Sequence, residues 1–376
     1  MFLSRLHLRN YRNFAEQVLE LPAQGAAIVG DNGQGKTNLL EAVYYLEIFR
    51  SFRGAPDEQL VRFGEEVFRI EGRLEDGEGR TRSVSAAFDR RGRKKKVAVN
   101  GAEPERLGDG LGQVGAVIFS PSDVELVSGG PGGRRRFLDI VLSLAEPGYL
   151  QALQRYRQAL FQRNTLLRQN SPRALVEVWD EGLVAAGSRV AAARAAWVAE
   201  RADSFSIHYA RVAGGQPGQM AYAPSAPELG EAMSPAEVAA AFGTALARSA
   251  DREHRRGMTL VGPHRDDLRF TLTPADGGAL ELRTYGSGGQ QRTAAIALRM
   301  VEAETIHAVR GREPIILLDD VFAELDPGRS QRIVDWIENE EGGGQVILTS
   351  PKPTDFELRG QILPRWGIRD GVVLAD

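Results

Sequence analysis

Gly30-Asp31-Asn32-Gly33-Gln34-Gly35-Lys36-Thr37 fits the pattern G-x-x-x-x-G-K-[ST]. The apolar run Ala26-Ala27-Ile28-Val29 leads into it, and a helical pattern through Leu39, Leu40, Val43, Tyr44 and Leu46 follows. Strand, glycine-rich turn and helix N-terminus make an anion cradle. The glycines let backbone N–H groups face phosphate, and the helix adds its positive end. Lys36 is expected to reach the β- and γ-phosphates, and the Thr37 hydroxyl to ligand Mg²⁺. The eight residues predict an ATP-Mg²⁺ site.

Ile315-Ile316-Leu317-Leu318-Asp319-Asp320 supplies the complementary acids. A buried apolar strand that ends in carboxylates suits a Walker B element. Asp319 would hold the Mg²⁺ shell, and Asp320 would polarise the attacking water. Lys36 and Asp320 are thus the expected catalytic residues, with Thr37 and Asp319 on the metal.

Tyr285-Gly286-Ser287-Gly288-Gly289-Gln290-Gln291 precedes the Walker B strand, and Glu324-Leu325-Asp326 follows it. This order of glycine motif, helix, acids and acidic loop resembles that of the ABC-type ATPases. The resemblance implies that Ser287, Gly288, Gly289 and Gln290 complete the ATP site of a second copy, with Asp326 in the D-loop. The helix N-terminus after Ser287 would present the same anion-binding physics from the opposite side. One chain would then hold half a site, and ATP would join a homodimer.

Within that superfamily the chain resembles the RecF family over nearly its whole length. The residues that carry the resemblance are Leu8-Arg9-Asn10-Tyr11-Arg12-Asn13-Phe14, Arg50-Ser51-Phe52-Arg53, Phe119-Ser120-Pro121-Ser122-Asp123, the run Gly130 to Asp139, Gly262-Pro263-His264-Arg265-Asp266-Asp267, and Leu317–Asp320 with Glu324-Leu325-Asp326. The resemblance implies an α/β fold: an ABC-type P-loop ATPase head, similar to Rad50 and SMC heads, with a helical-hairpin insertion lobe. It implies a slow, DNA-stimulated ATPase that dimerises on ATP and binds single-stranded and gapped or junction DNA. It also implies a role in loading recombinase at replication gaps with mediators such as RecR.

Three positions depart from the family pattern. The signature is Ser-Gly-Gly-Gln, nearer the general ABC form; Asp320 replaces a glutamate after Asp319; and Thr349 or Ser350 stands at the switch position instead of histidine. The last two suggest slow hydrolysis, and hence a switch and not a motor. Three rival readings compete with this one. A transporter subunit usually has a far shorter interval than that from Thr37 to Ser287. An SMC- or Rad50-like structural ATPase needs long coiled-coil arms and a hinge or zinc hook. A small-molecule kinase needs an acceptor site beside the P-loop.

The elements that must position these residues are legible in outline. Alternation or apolar runs predict strands at Ala26–Val29, Val67–Leu74, Ser83–Phe88, Val97–Val99, Leu268–Leu272, Leu280–Thr284, Ile315–Leu318 and Val346–Leu348. Tyr149–Leu167 and Val176–Trp197 carry apolar residues in steps of three and four, with a turn at Asn170-Ser171-Pro172. They predict an antiparallel helical hairpin with arms on the order of 25–30 residues, ~40 Å each. Its stripe includes Trp179 and Trp197 as core residues. A loop is expected over 214–233, and Ser234-Pro235-Ala236-Glu237 reads as a capping box. The expected division is a core of residues 1–125 and 258–376 around an insertion at 126–257.

Composition bounds the rest. The chain has 376 residues, 42% hydrophobic and 26% charged, so a sizeable core is possible. It has no cysteine, which excludes disulfides, thiolate metal sites and cysteine nucleophiles. Neither a signal peptide nor an apolar span long enough for a bilayer stands out, so a cytoplasmic protein without membrane contact is expected.

The formal net charge of −3 gives no global pull toward polyanions. Contact with DNA must come from a local cluster, and Arg90, Arg91, Arg93, Lys94, Lys95 and Lys96 form one in what reads as a hairpin turn. A solvated turn is the competing reading. Arg134-Arg135-Arg136 reads as structural, and His264 with Asp266 and Asp267 as a hydrogen-bonded turn in preference to a metal site.

Overall fold

The computed structural model describes residues 1–226, 234–273, 277–338, 344–352, 356–358 and 361–375. Two units partition the chain, Met1–Asp123 with Glu302–Asp376, and Val124–Val301.

The first unit opens with β1 (Phe2–Tyr11) and β2 (Phe14–Glu20), whose alternating burial puts Leu3, Leu6, Leu8, Phe14 and Leu19 on one covered face. β3 (Gly25–Val29) is buried almost throughout, as expected of a strand covered on both sides. α1 (Lys36–Ile48) is buried nearly all round, glutamates included. Glu41 takes a bidentate pair from Arg12 at 2.8 and 2.9 Å, while Glu47 accepts the Val114 and Gly115 amides at 3.0 and 2.7 Å. These partners offset the desolvation that would otherwise exclude two carboxylates from a core helix. β4 (Val67–Glu75), β5 (Thr81–Asp89) and β6 (Lys94–Val99) form the expected meander. They extend β1 and β2 into an antiparallel sheet of order β2-β1-β4-β5-β6. β6 begins at Lys94, so the three lysines lie on a strand, and only Arg90–Arg93 form the turn. β7 (Ala116–Phe119) then enters a second sheet.

The second unit begins with α2 (Glu125–Ser128) and α3 (Pro131–Ala145). Its hairpin is unequal: α4 (Tyr149–Arg168) turns at Asn170, and the returning arm is broken into α5 (Arg173–Glu177) and the 34-residue α6 (Asp180–Ala213). Trp197 is core, and Trp179 packs half-buried beside Tyr156, Leu183 and Phe242. The expected loop over 214–233 contains β8 (Gly218–Ala223) in its described part; residues 227–233 lie outside the described residues. The α7 helix (Pro235–Arg256) starts on Ser234, whose hydroxyl and Glu237 form the reciprocal capping box.

The expected boundary at 257/258 is corrected to Val301/Glu302. β9 (Asp267–Leu272) and β10 (Leu280–Glu281) do not enter the P-loop sheet; they join β8 in an antiparallel sheet of order β10-β9-β8. Leu268, Phe270 and Leu272 pack there with Phe205, Tyr209, Met220 and Tyr222. The expected strand at Leu280–Thr284 stops at Glu281, where the α8 turn (Leu282–Tyr285) begins. Residues 274–276, between β9 and β10, lie outside the described residues. The division between the units falls inside α9 (Gly288–Arg310).

The chain then returns to the first unit through β11 (Ile315–Asp319), α10 (Pro327–Glu338) and β12 (Val346–Ser350). The β13–β14 pair (Glu357–Leu358 with Gln361–Ile362) precedes β15 (Arg365–Arg369) and β16 (Val372–Ala375). The second sheet has the order β16-β15-β3-β12-β11-β7; β15, β3, β12, β11 and β7 are parallel. Parallel strands bring their C-terminal ends to one edge, where α/β folds bind ligands. No helix among the described residues is long and apolar enough to cross a membrane.

Candidate nucleotide site

That edge assembles the predicted residues. β3 runs into Gly30, β11 delivers Asp319 and Asp320, and β12, lying between them, delivers Thr349. Thr37 Oγ1 donates to Asp319 Oδ1 at 2.9 Å. Thr349 Oγ1 donates to the same oxygen at 3.0 Å and accepts the Asp320 amide at 3.0 Å. Asp320 itself sits at φ 53°, in the left-handed region that few non-glycine residues adopt, just past the end of β11 at Asp319.

The loop closes around the Lys36 ammonium, with Nζ 2.6 Å from the Gly30 carbonyl oxygen and 3.0 Å from that of Asp31. A cavity of about 330 Å³ is lined by Asn32, Gly33, Gly35, Lys36, Thr37, Asn38, Arg53, Asp319 and Asp320. Burial pushes the Asp319 carboxyl above the usual aspartate range; the Thr37 and Thr349 hydroxyls oppose that shift, and neighbouring Asp320 adds to it. A part-buried oxygen pair of one hydroxyl and one carboxylate fits a hard divalent cation that takes its other ligands from phosphate and water. Among the described residues no cluster of His, Cys, Asp or Glu could hold a metal unaided.

Asn13, Asn38, Arg53 and Asp370 carried no role in the sequence reading. Asn13 donates from Nδ2 to the Gln34 carbonyl at 2.8 Å and accepts from Asn38 at 2.9 Å, so the β1–β2 turn clamps the P-loop. Gly35, at φ 116°, lies so close that a Cβ there would meet the Asn13 side chain. Arg53 reaches the cavity and donates to Asn38 Oδ1 at 3.2 Å. On the far side the Asp370 amide donates to Gln34 Oε1 at 2.6 Å. Asn13 and Arg53 sit inside quoted motifs, the polar residue of a tight turn and a cation just after the P-loop helix. Asp370 had no signal, because strand neighbours distant in sequence bring it there.

Ser287, Gly288, Gly289 and Gln290 lie in the second unit. The Ser287 amide donates to Gln290 Oε1 at 2.8 Å, and the Gln290 amide to Ser287 Oγ at 3.3 Å, so the signature is a reciprocal cap on α9. Ser287 and Gly288 are exposed, beside the exposed Tyr285. Asp326 caps α10, accepting the Arg329 amide at 3.0 Å; that bond holds its carboxyl below the usual aspartate range.

Of the basic cluster, Lys95 is committed to the fold. It donates to the Phe49 carbonyl at 2.6 Å, pairs with Asp57 at 2.8 Å and lies over the Tyr45 ring. Arg90 and Arg91 pair with Glu66, Arg93 with Glu58 and Lys96 with Glu103, all at exposed positions where such pairs are weak. Arg134 is buried and bidentate to Asp267 at 2.6 and 2.9 Å. His264 contacts the Tyr156 hydroxyl at 2.5 Å and the Thr259 carbonyl at 3.1 Å.

Comparison with known proteins decides the family. The family model described as RecF/RecN/SMC N terminal domain matches residues 2–363. A protein of Synechococcus sp. strain JA-2-3B'a(2-13), named DNA replication and repair protein RecF, is 39% identical over 364 residues, covering 95% of this chain and 93% of its own. Its namesake from Nostoc punctiforme is 40% identical over 367 residues, covering 95% and 94%. The chain belongs to the RecF family. A solved structure of the recombination mediator protein RecF with ATP, from the RecFOR pathway, superposes with a TM-score of 0.89 at 31% identity, covering 100% of this chain and 97% of that one. The Smc head domain of Pyrococcus furiosus, at 15% identity and a TM-score of 0.56, shares the fold. The RecF-family chain is therefore an ABC-type, SMC-like ATPase head with an inserted helical lobe.

Proposed function

We propose that this protein is a DNA-repair ATPase in which ATP acts as a dimerising switch. The observation that carries the reading is the meeting of Thr37 and Asp319 at 2.9 Å beside Lys36 and Asp320, which brings P-loop and Walker B chemistry into one cavity. Gly30–Thr37 would wrap the phosphates, with Lys36 neutralising charge on the β- and γ-groups. Thr37 and Asp319 would hold Mg²⁺, which when bound supplies charge neutralisation at the transferring phosphate. Asp320 would orient and polarise the attacking water, and its short side chain favours slow turnover. Arg53, at the cavity wall, adds a second cation facing the phosphates.

Support for the split site comes from the exposed, capped N-terminus of α9, which leaves Ser287 and Gly288 open to a ligand carried by another copy. The DNA assignment rests on family membership and on Arg90, Arg91, Arg93, Lys94 and Lys96 at the β5–β6 hairpin; Lys95 serves the fold. RecF relatives are named for replication and repair, and one for the RecFOR pathway. The proposed partners are accordingly single-stranded and gapped DNA, a RecR-type mediator and a second copy of this chain.

Nucleotide binding measured by isothermal titration on wild type, Lys36→Met and Asp319→Asn tests the cavity directly. Wild type should bind ATP with Mg²⁺ and Lys36→Met should not. Equal binding by both would refute the assignment.

A further inference from the structure

Phe63 is the most exposed large apolar residue in the described chain, at 99%. It is held out, not left loose. The Glu65 amide donates to the Arg62 carbonyl at 3.0 Å, and Gly64 sits at φ 86°, so Arg62–Glu65 form a type II turn with Phe63 at its second position. The turn is tied at both ends. The Arg62 amide donates to the Asn10 carbonyl at 2.8 Å, Asn10 Nδ2 donates to Glu65 Oε2 at 3.2 Å, and Tyr11 bridges Val61. Beyond it, the Arg90 amide donates to the Glu66 carbonyl at 2.8 Å. The Glu66 carboxylate meets Arg91 at 3.3 Å and Arg90 at 3.7 Å. The phenyl turn and the arginine hairpin are therefore one bonded platform.

An aromatic ring presented on a rigid turn beside a cluster of phosphate-binding cations is the arrangement that single-stranded nucleic acid uses: cations follow the backbone and the ring stacks on a base. A duplex offers its bases already stacked and paired, so the ring gains a partner only where a strand is open. We infer that Phe63 is a base-stacking residue that makes the β5–β6 hairpin prefer single-stranded DNA, such as the open strand at a gap, over duplex. The inference deepens the DNA-binding reading given above and rests on it.

The test compares wild type, Phe63→Ala and a variant with Arg90, Arg91, Arg93, Lys94 and Lys96 changed to alanine. Each binds an oligo-dT strand, an abasic strand of the same length and a blunt duplex, followed by fluorescence anisotropy. Phe63 has almost no contacts to lose, so Phe63→Ala should fold as wild type does. It should bind oligo-dT roughly tenfold more weakly, yet match wild type on duplex and on the abasic strand. The alanine-hairpin variant should weaken on all three. Phe63→Trp should report the stack directly, its emission falling when oligo-dT is added. Unchanged oligo-dT affinity in Phe63→Ala would overturn the inference and leave the ring for a protein partner. An equal loss on duplex would overturn it as well. If wild type binds none of the three, the DNA-binding reading itself falls and carries the inference with it.

Discussion

Thr37 and Asp319, 282 positions apart in sequence, share a hydrogen bond of 2.9 Å that joins the P-loop helix to the strand two places away in the parallel sheet. Asp319 is 5% exposed, and burial holds its carboxyl above the usual aspartate range. A carboxylate so placed suits a divalent cation and burdens the fold without one. Because the folded pKa is raised, the stability this group contributes is greatest below its unfolded value and is lost as pH rises through the folded one. Asp319→Asn should therefore melt higher than wild type at pH 7–8 without nucleotide, by about 1 kcal/mol, and lose this advantage near pH 3. It should also lose Mg²⁺-dependent nucleotide binding. Thermal unfolding at the two pH values checks the first part.

Thr349 serves the same carboxylate from β12. Its hydroxyl contacts Asp319 and the Asp320 amide, and it is buried. Thr349→Val keeps the volume and removes the bridge. We expect kcat for ATP to fall about tenfold with a smaller change in KM, the usual scale for a group that orients metal or catalytic residues. A steady-state assay with equal kcat would show that Asp320 needs no such support.

His264 offers a pH test in the second unit. Desolvation pushes its pKa down to about 4, and the neutral ring uses Nε2–H toward the Thr259 carbonyl while Nδ1 accepts from Tyr156. A depressed folded pKa gives stability that is present above the unfolded value near 6.5 and lost as pH falls through about 4. The wild-type unit should lose up to about 3 kcal/mol across that window, and His264→Gln should flatten the loss. Denaturant titrations from pH 7 to pH 4 read it.

Arg134 is a buried cation held by Asp267 and by the carbonyls of Leu126, Val127 and Gly129. Arg134→Ala would strand Asp267 and three carbonyls. The expected cost is about 3–5 kcal/mol, visible as a lower denaturant midpoint. A change under 1 kcal/mol would show that the pair is replaceable by water.

Local signals made the site readable. The P-loop, the Walker B acids and the Ser287 signature each depend on residues adjacent in sequence, which is why their patterns are legible there. The strand order that seats β12 between β3 and β11 left no local trace, so Thr349 appeared only as a substitution at the switch position. The lobe boundary lies beyond 257/258 because strand character at 268–272 does not say which sheet a strand will join. The missing clue was β8, whose Met220 and Tyr222 alternate inside a stretch otherwise composed like a loop. The basic run likewise carries a turn signal, since lysines have little strand propensity; pairing with β5 sets Lys94–Lys96 on the ladder and turns Lys95 inward.

The central claim is that ATP joins two copies through the P-loop of one and Ser287 of the other. Sedimentation velocity on wild type, Lys36→Met and Ser287→Arg, each with and without ATP-Mg²⁺, tests it most directly. Wild type should shift from monomer to dimer on adding ATP. Lys36→Met should stay monomeric because it cannot hold the nucleotide, and Ser287→Arg should bind ATP yet also stay monomeric. A wild type that remains monomeric with saturating ATP, or a Ser287→Arg variant that dimerises as wild type does, would contradict the account.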